Sequence, residues 1–451
     1  MTQRELLMRA AERGVAYRES LDLRAVAPDA AAVDALQEFV EPLPACGVSD
    51  DEILAQLDRL GSPATMAMAG PRFFGFVIGG SLPVTVATNW LATAWDQNVS
   101  MSEITPAPAL LESVALGWMK ELFGLPKATA GAFVTGATVA NFTALAAARN
   151  RVLAEVDWNV EAEGLIGAPD VTVVVGDEAH PTLIKALGLL GFGRERVVRV
   201  PVDGEGRMRI AGLPPLDGPS IVCTQVGNVN TGACDPVGDI CRAVRPAGAW
   251  VHVDGAFGLW AAASPAYRQL VDGIGLADSW ATDAHKWLNV PYDSGIAFVR
   301  DAAALTASMA VTADYLMTAS ERRNPSDFTP ELSRRARGVD IWAALKSLGR
   351  EGVAALVERC CANARRFADG LRAAGFEVLN DVVLNQVLVS FGSDDRTRSV
   401  IDRLQKDGTC WCGVTVWQGT TAMRISVSNW STSADDVDTC LDAIVRAAAA
   451  E

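Results

Sequence analysis

The sequence of 451 residues is poor in positive charge, in histidine and in unbroken apolar runs. Thirty-nine lysines and arginines stand against 54 acidic residues, a formal charge of −15, and no basic block interrupts that balance. Nucleic acid and anionic membrane surfaces are therefore poor candidate partners. The nine cysteines form no Cys-x-x-Cys pair and are odd in number, and the opening residues MTQRELLMRAAERG carry charges throughout instead of the apolar stretch of a secretion signal. The expectation is reduced thiols in a cytoplasm and no bound metal. Two uncharged stretches, 73–95 and 128–148, are long enough for a membrane span. The first contains Gly79-Gly80, Pro83, Thr85, Thr88 and Asn89, and the second contains Gly131 and Gly136. Both therefore read as interior segments of a soluble protein with no membrane partner. No internal repeat is present, and no low-complexity segment beyond alanine-rich helix faces.

What is there is a large apolar fraction, half of all residues, in a chain long enough for one large domain and one or two smaller ones. From about residue 130 to 300, short β-rich runs (GAFVTG, VTVVVGD, VVRVPVD, SIVCTQ, AWVHVDG, SGIAFVR) alternate with helical stretches. That alternation predicts an α/β fold with a largely parallel sheet covered by helices on both faces. In such a sheet the ligand sits beyond the carboxyl ends of the strands. Asp177, Asn228, Asp254 and the run before Lys286 all fall at or just past such ends. A second alternating pattern after about residue 345 predicts a small C-terminal α+β unit. The division expected is a helical segment 1–70, a large domain 71–345 and a small domain 346–451.

The residue pair that carries chemistry is Asp254, in His252-Val253-Asp254-Gly255-Ala256, and Lys286, in Asp283-Ala284-His285-Lys286-Trp287. An amine and a carboxylate, each closing a strand, are what pyridoxal phosphate needs: the amine holds the aldehyde as a Schiff base, and the carboxylate keeps the pyridine nitrogen protonated. Gly136-Ala137-Thr138 ends a strand and opens a helix, where free N–H groups and a hydroxyl suit a phosphate or simply form a capped turn. His180 follows another strand and precedes Pro181, which aims its ring from a loop at the same edge.

The ordered set GAFVTGATVAN, DEAH at 177–180, GNVNTGACDP, HVDGAFG and DAHKWLNVPYDSG resembles the motif series of the group II pyridoxal-phosphate-dependent amino-acid decarboxylases. The resemblance implies the pyridoxal-phosphate transferase fold of type I and a homodimer with shared active sites. It implies that Lys286 is the Schiff-base lysine, that Asp254 faces the pyridine nitrogen, and that Ala256 packs on the ring opposite His180. Ala137 and Thr138 would hold the phosphate, His285 would fix the phosphate end or the lysine, and Asn228 would lie near the phenolic oxygen. The implied reaction is decarboxylation of an L-amino acid to the amine and carbon dioxide.

The sequence also departs from that pattern. Relatives carry a proton-donating tyrosine on a loop after the lysine, or phenylalanine there when they make aldehydes. Residues 317–332, MTASERRNPSDFTPEL, hold no tyrosine; Phe328 aligns only loosely, and Tyr315 is the nearest phenol. Either another group donates the proton, His180 through water being one, or the enzyme diverts its intermediate as an aldehyde synthase or carbon-carbon lyase. A non-catalytic pyridoxal-binding protein is the remaining class. On the substrate side Phe73, Phe74 and Phe76 form either an apolar wall or plain core. Asn98 and Ser100 offer polarity where aromatic-specific relatives are bulky. Arg424 meets either a substrate carboxylate or the acidic pair Asp435-Asp436.

Overall fold

The computed structural model describes residues 1–311 and 322–450. Seven strands form one sheet: β1 (Ala130–Val134), β2 (Thr172–Gly176), β3 (Val198–Val200), β4 (Ser220–Gln225), β5 (Trp250–Asp254), β6 (Ser279–Asp283) and β7 (Gly295–Val299), in the order β1-β7-β6-β5-β4-β2-β3. Strands β2 to β6 pair in parallel, and β7 runs antiparallel to both β6 and β1. The expected mostly parallel sheet is thus present, with one reversed strand.

Both faces of this sheet are buried, as its continuous apolar strands require. Val174, Val222 and Val251 point into a core shared with the helices Pro106–Phe123 and Arg337–Ala373. Val173, Val175, Ile221 and Cys223 point the other way, against the helices Ala137–Ala154 and Pro181–Leu189. The helix Ala137–Ala154 buries Ala140, Ala144, Ala147 and Ala148. Side chains this small let it lie close across β5, β6 and β7. Its first turn approaches β7 so tightly that a Cβ on Gly295 would lie 2.4 Å from Gly136 Cα.

A second sheet, β8 (Glu377–Val378), β9 (Gln386–Ser390), β10 (Gly413–Trp417) and β11 (Thr420–Ser426), is antiparallel in the order β10-β11-β9-β8. The helices Asp394–Asp407 and Ala434–Ala449 pack on it or on each other. The boundary expected at 345 falls inside the helix Arg337–Ala373, which is broken by non-helical geometry at Gly349 (φ 61°, ψ −178°).

The two uncharged stretches part company here. Residues 128–148 are largely interior, whereas the helix Pro83–Trp95 buries only Thr85 and leaves Trp90, Leu91 and Trp95 exposed by 44, 48 and 39%. The interior placement expected for 73–95 therefore holds for Phe73 and Phe74 but not for this helix, whose Trp90, Leu91 and Trp95 are left uncovered by the described residues. The helices Gln3–Ser20 and Asp50–Gln56 likewise bury no residue, and each begins with a capping box, Thr2 with Glu5 and Ser49 with Glu52. Among the described residues no helix is long and apolar enough to cross a membrane.

The segment after residue 321 is pinned to the large sheet by a buried ionic cluster. Glu112, 1% exposed, pairs with Arg334 and, at 3.0 Å, with Arg323. Arg334 also donates to the carbonyls of Val99 and Phe133 at 2.9 and 2.8 Å. Removing one partner of such a cluster leaves buried charge uncompensated. Glu112→Ala is expected to destabilise the protein by about 3–5 kcal/mol, read as a lowered urea midpoint; an unchanged midpoint would contradict the account.

Candidate active site

Asp254 closes β5 and is buried, so each of its oxygens needs a donor. Oδ1 accepts from the Ala256 N–H and Oδ2 from Asn141 Nδ2, both at 3.2 Å. Asn141 is itself held: its Oδ1 lies 2.8 Å from His252 Nε2, His252 Nδ1 lies 2.8 Å from Ser279 Oγ, and Ser279 Oγ accepts from Trp250 Nε1 at 2.8 Å. Donor arithmetic fixes the protons along this chain. The Asp254 carboxylate only accepts, so Asn141 turns its amide N–H to it and its Oδ1 to His252, which gives the Nε2 hydrogen. Burial lowers the His252 pKa from 6.5 to about 3, so the ring is neutral and its Nδ1 accepts from Ser279, whose oxygen accepts from the indole. Burial pushes Asp254 upward, while His180, Lys286, Asn141 and Ala256 all pull it back.

Lys286 follows the end of β6 by three residues. Its Nζ lies 3.1 Å from Asp283 Oδ2. Asp283 Oδ1 accepts the N–H of Ala137 at 2.6 Å, so this carboxylate caps a helix whose own N-cap, Gly136, has no side chain to do so. The N–H groups of Thr138 and Val139 in that first turn have no helical acceptor. His285 Nδ1 accepts from the Ser294 N–H at 3.0 Å, which puts its proton on Nε2, 3.6 Å from Asp283 Oδ2. Burial lowers the His285 pKa, and Tyr292 stacks on its ring at 4.3 Å.

The turn that presents Lys286 is braced from behind. Asn289 Oδ1 accepts from the N–H groups of Gly80 (2.6 Å) and Trp430 (3.0 Å), while its Nδ2 donates to the carbonyls of Trp287 and Ser428. A Cβ on Gly79 would lie 1.8 Å from the Lys286 carbonyl oxygen. Only glycine fits there.

His180 is the N-cap of the helix Pro181–Leu189, its Nδ1 accepting the Thr182 N–H at 3.3 Å. The remaining proton on Nε2 is left for the site. Burial lowers its pKa, partly offset by Asp254, and Lys286 and Arg424 lower it further. Arg424, on β11, thus shares the electrostatic field of this site. Its Nε is buried without a hydrogen-bond partner among the described residues, and burial lowers its pKa. The alternative pairing with Asp435-Asp436 is not formed; Asp436 caps the last helix through Ser433. Asn228 is occupied: Oδ1 accepts from Asn230 and Thr231 N–H groups, and Nδ2 donates to Glu178 at 3.0 Å, which leaves one amide hydrogen.

Other expected residues lie apart from this centre. Phe76, 61% exposed, stacks on Trp411 at 5.5 Å. Asn98 accepts from the Arg334 N–H, and the buried Ser100 accepts from the Ser326 N–H through its carbonyl, so both brace the segment after residue 321. Phe328 packs beneath the Arg323 guanidinium at 4.2 Å. Tyr315 and residues 317–321 lie outside the described residues. Sequence reasoning missed Asn141, Ser279, Asp283, Asn289 and Glu178. All but Ser279 lie within the motifs quoted above, and their polar positions there were the available signal.

The residues present fit pyridoxal phosphate: a lysine amine, a buried carboxylate supplied with donors, and a helix N-terminus beside His285 Nε2. With the mainly parallel seven-stranded sheet and the small antiparallel domain, they define a pyridoxal-phosphate enzyme of fold type I. Residues 42–392 match the family model described as the pyridoxal-dependent decarboxylase conserved domain, and the chain belongs to that family as a pyridoxal-phosphate-dependent carboxy-lyase of amino-acid metabolism. It is 26% identical over 453 residues to tryptophan decarboxylase 1 of Oryza sativa subsp. japonica, covering 92% of this chain and 87% of that one. It is 28% identical over 331 residues to an aromatic-L-amino-acid decarboxylase of Bacillus atrophaeus, covering 69% and 65%. The crystal structure of Oryza sativa TDC with PLP and tryptamine superposes with a TM-score of 0.90 at 24% identity, covering 99% and 97%.

The depressed pKa of His252 gives a sign-definite test. Its neutral form contributes stability that is complete above the ordinary value of 6.5 and is lost as pH falls toward about 3. At pH 5 unfolding should therefore take up about one proton more in the native sequence than in His252→Gln. Equal uptake, measured potentiometrically on guanidinium unfolding, would show that His252 is not held neutral.

Proposed function

We propose that this chain removes the α-carboxyl group of an L-amino acid to give the amine and carbon dioxide, with Lys286 as the residue that binds the cofactor aldehyde and Asp254 as the partner of the ring nitrogen. The observation that carries this is the convergence at one sheet edge of the Lys286 amine and a buried carboxylate that receives only donors. When bound, pyridoxal phosphate supplies an aldehyde carbon and an electron-accepting ring. Asp254 keeps a proton on the ring nitrogen. Thr138, with the N–H of Val139 and His285 Nε2, holds the phosphate, while Ala137 has already given its N–H to Asp283. Ala256 and His180 take the two faces, and Asn228 has one hydrogen left for the phenolic oxygen.

His180, neutral and with Nε2–H turned to the site, is placed to pass a proton to the substrate Cα, directly or through water. Asp283 steadies the charge of Lys286 whenever its amine is free. Arg424, with an unpartnered buried Nε, takes a substrate carboxylate. The apolar faces left open on the helix Pro83–Trp95 and on the N-terminal helices support a homodimer, in which Phe76, Asn98 and Ser100 stay candidates for contact with the substrate side chain. The nine free thiols, eight of them buried, support a reducing cytoplasm. The three-part division 1–70, 71–345 and 346–451 belongs to the same reading.

One sequence observation favours a second outcome: residues 317–332 contain no tyrosine. Without a loop phenol to return the proton, the decarboxylated substrate would be open to two-electron oxidation by dioxygen, which would give the aldehyde, ammonia and hydrogen peroxide.

Product analysis by mass spectrometry in air, with a panel of single L-amino acids and Lys286→Ala as the blank, separates these outcomes. An amine is expected; aldehyde with ammonia and peroxide would select the second reading, and no product from any amino acid would overturn both. With the substrate in hand, Arg424→Gln should raise KM about 10- to 100-fold, the loss of charge-assisted bonds worth about 1.5–3 kcal/mol. An unchanged KM would remove Arg424 from the binding site.

A further inference from the structure

Glu178 sits two residues before His180, in the turn after β2, and nothing in the chemistry above uses it. Its carboxylate accepts from three neutral donors: Asn228 Nδ2 at 3.0 Å, Trp417 Nε1 at 3.2 Å and Gln418 Nε2 at 3.2 Å. Asn228 belongs to the loop after β4 in the large sheet. Trp417 ends β10 and Gln418 lies in the turn to β11, both in the small sheet. One carboxylate therefore joins three elements from two domains. The site is close-packed, since a Cβ on Gly206 would lie 2.4 Å from Glu178 Oε2 and 2.7 Å from Asn228 Nδ2.

The hairpin held in this way is the one that carries Arg424. β10 pairs with β11 so that Trp417 faces Thr420, Thr415 faces Ala422 and Gly413 faces Arg424. The two-residue period of a strand places Trp417, Thr415 and Arg424 on one face. Thr415 Oγ1 bonds Asn230 Oδ1 at 2.9 Å, and Asn230 belongs to the turn organised by Asn228. The hairpin face is thus fixed to the large domain at Trp417 and at Thr415, with Arg424 directed at the site from the same side.

We infer that Glu178 is a positioning residue, which ties the His180 turn to the Arg424 hairpin and so sets the separation between the ring-facing imidazole and the substrate-facing guanidinium. This rests on the assignment of Arg424 to a substrate carboxylate. A carboxylate suits the task because it accepts at both oxygens and competes with no donor of its own. Glutamine at this position keeps one accepting oxygen for Asn228 and Trp417, and a flip of the Gln418 amide meets its new N–H group. Alanine keeps none of these bonds.

The test uses the pyridoxal-loaded full chain and needs no substrate for its first arm. Hydrogen exchange followed by mass spectrometry should rise in Glu178→Ala at two separated segments together, 177–183 and 413–424, and return nearly to the native level in Glu178→Gln. In the kinetic arm Glu178→Ala should raise KM about tenfold, the loss of one charge-assisted bond, and Glu178→Gln less than about twofold. In an Arg424→Gln background Glu178→Ala should add nothing further to KM, as expected of residues acting through one another. Exchange that is unchanged, or that rises at 177–183 alone, would overturn the tie. Full additivity with Arg424→Gln would overturn its link to substrate. A failure to find any amino-acid substrate would count against the proposed function, while the exchange arm would still decide whether Glu178 joins the two domains. Should Glu178→Ala fail to fold, Trp417→Phe, which deletes the indole donor, must raise exchange in the same two segments.

Discussion

A carboxylate sealed at the edge of an apolar sheet is the constraint around which this protein is arranged. Taking an ionised carboxylate from water costs several kcal/mol unless hydrogen bonds and opposite charge replace the lost hydration. Asp254 meets that demand from two directions. On its inner side Asn141 brings a donor whose amide is held by the neutral His252, itself held by Ser279 and Trp250. On its outer side His180 and Lys286 provide a field that favours the anion. On the proposed reading, a pyridinium bound beside Asp254 would complete the neutralisation, and the carboxylate's own demand for positive charge would favour the cofactor.

The fold supplies the means. Parallel neighbours β4, β5 and β6 end together, so the loops after them, and the one after β2, open at one edge. The single reversed strand β7 lets the chain return past Lys286, so that Ser294 reaches back to His285 while Gly295 meets the helix start at Gly136. Asn289 then ties its own turn, at Trp287, to two distant segments behind the lysine, around Gly80 and Ser428-Trp430. The turn that carries Lys286 is thus held through the Asn289 amide to backbone groups, which leaves the side chains of His285 and Lys286 for the site.

Much of this was legible in the sequence, and the limits have a physical origin. Asp254 stands out because a run of β-branched and aromatic residues stops on it, and Lys286 because it follows the next strand by three residues; strand ends are where an α/β sheet exposes its ligands. Their partners are another matter. His252 and Asn141 are 111 residues apart, His252 and Ser279 are 27 apart, and Asn289 and Gly80 are 209 apart. Those pairings depend on strand order and on which helix crosses which strand, and neither is written in local periodicity. The helix Pro83–Trp95 shows the converse. Its composition reads as interior, yet its tryptophans face outward, because hydrophobicity reports that a surface is to be covered and not which molecule covers it. Glu178 stands inside the DEAH run, yet its role did not show: a glutamate in a loop has the ordinary look of a solvated charge until the small domain is folded over it.

The hydrogen-bond chain beneath Asp254 has one more property. For a row of hydrogen bonds to conduct a proton, each member must give one up as it receives another, and the first must be resupplied from water. Here the first member is the indole of Trp250, a group that does not release its hydrogen at any pH at which the protein is folded. The row is therefore an insulator: it can polarise, but it cannot carry current. Any proton needed at the site would therefore have to arrive from the side of Asp254 on which His180 and Lys286 lie, and not from the sheet interior.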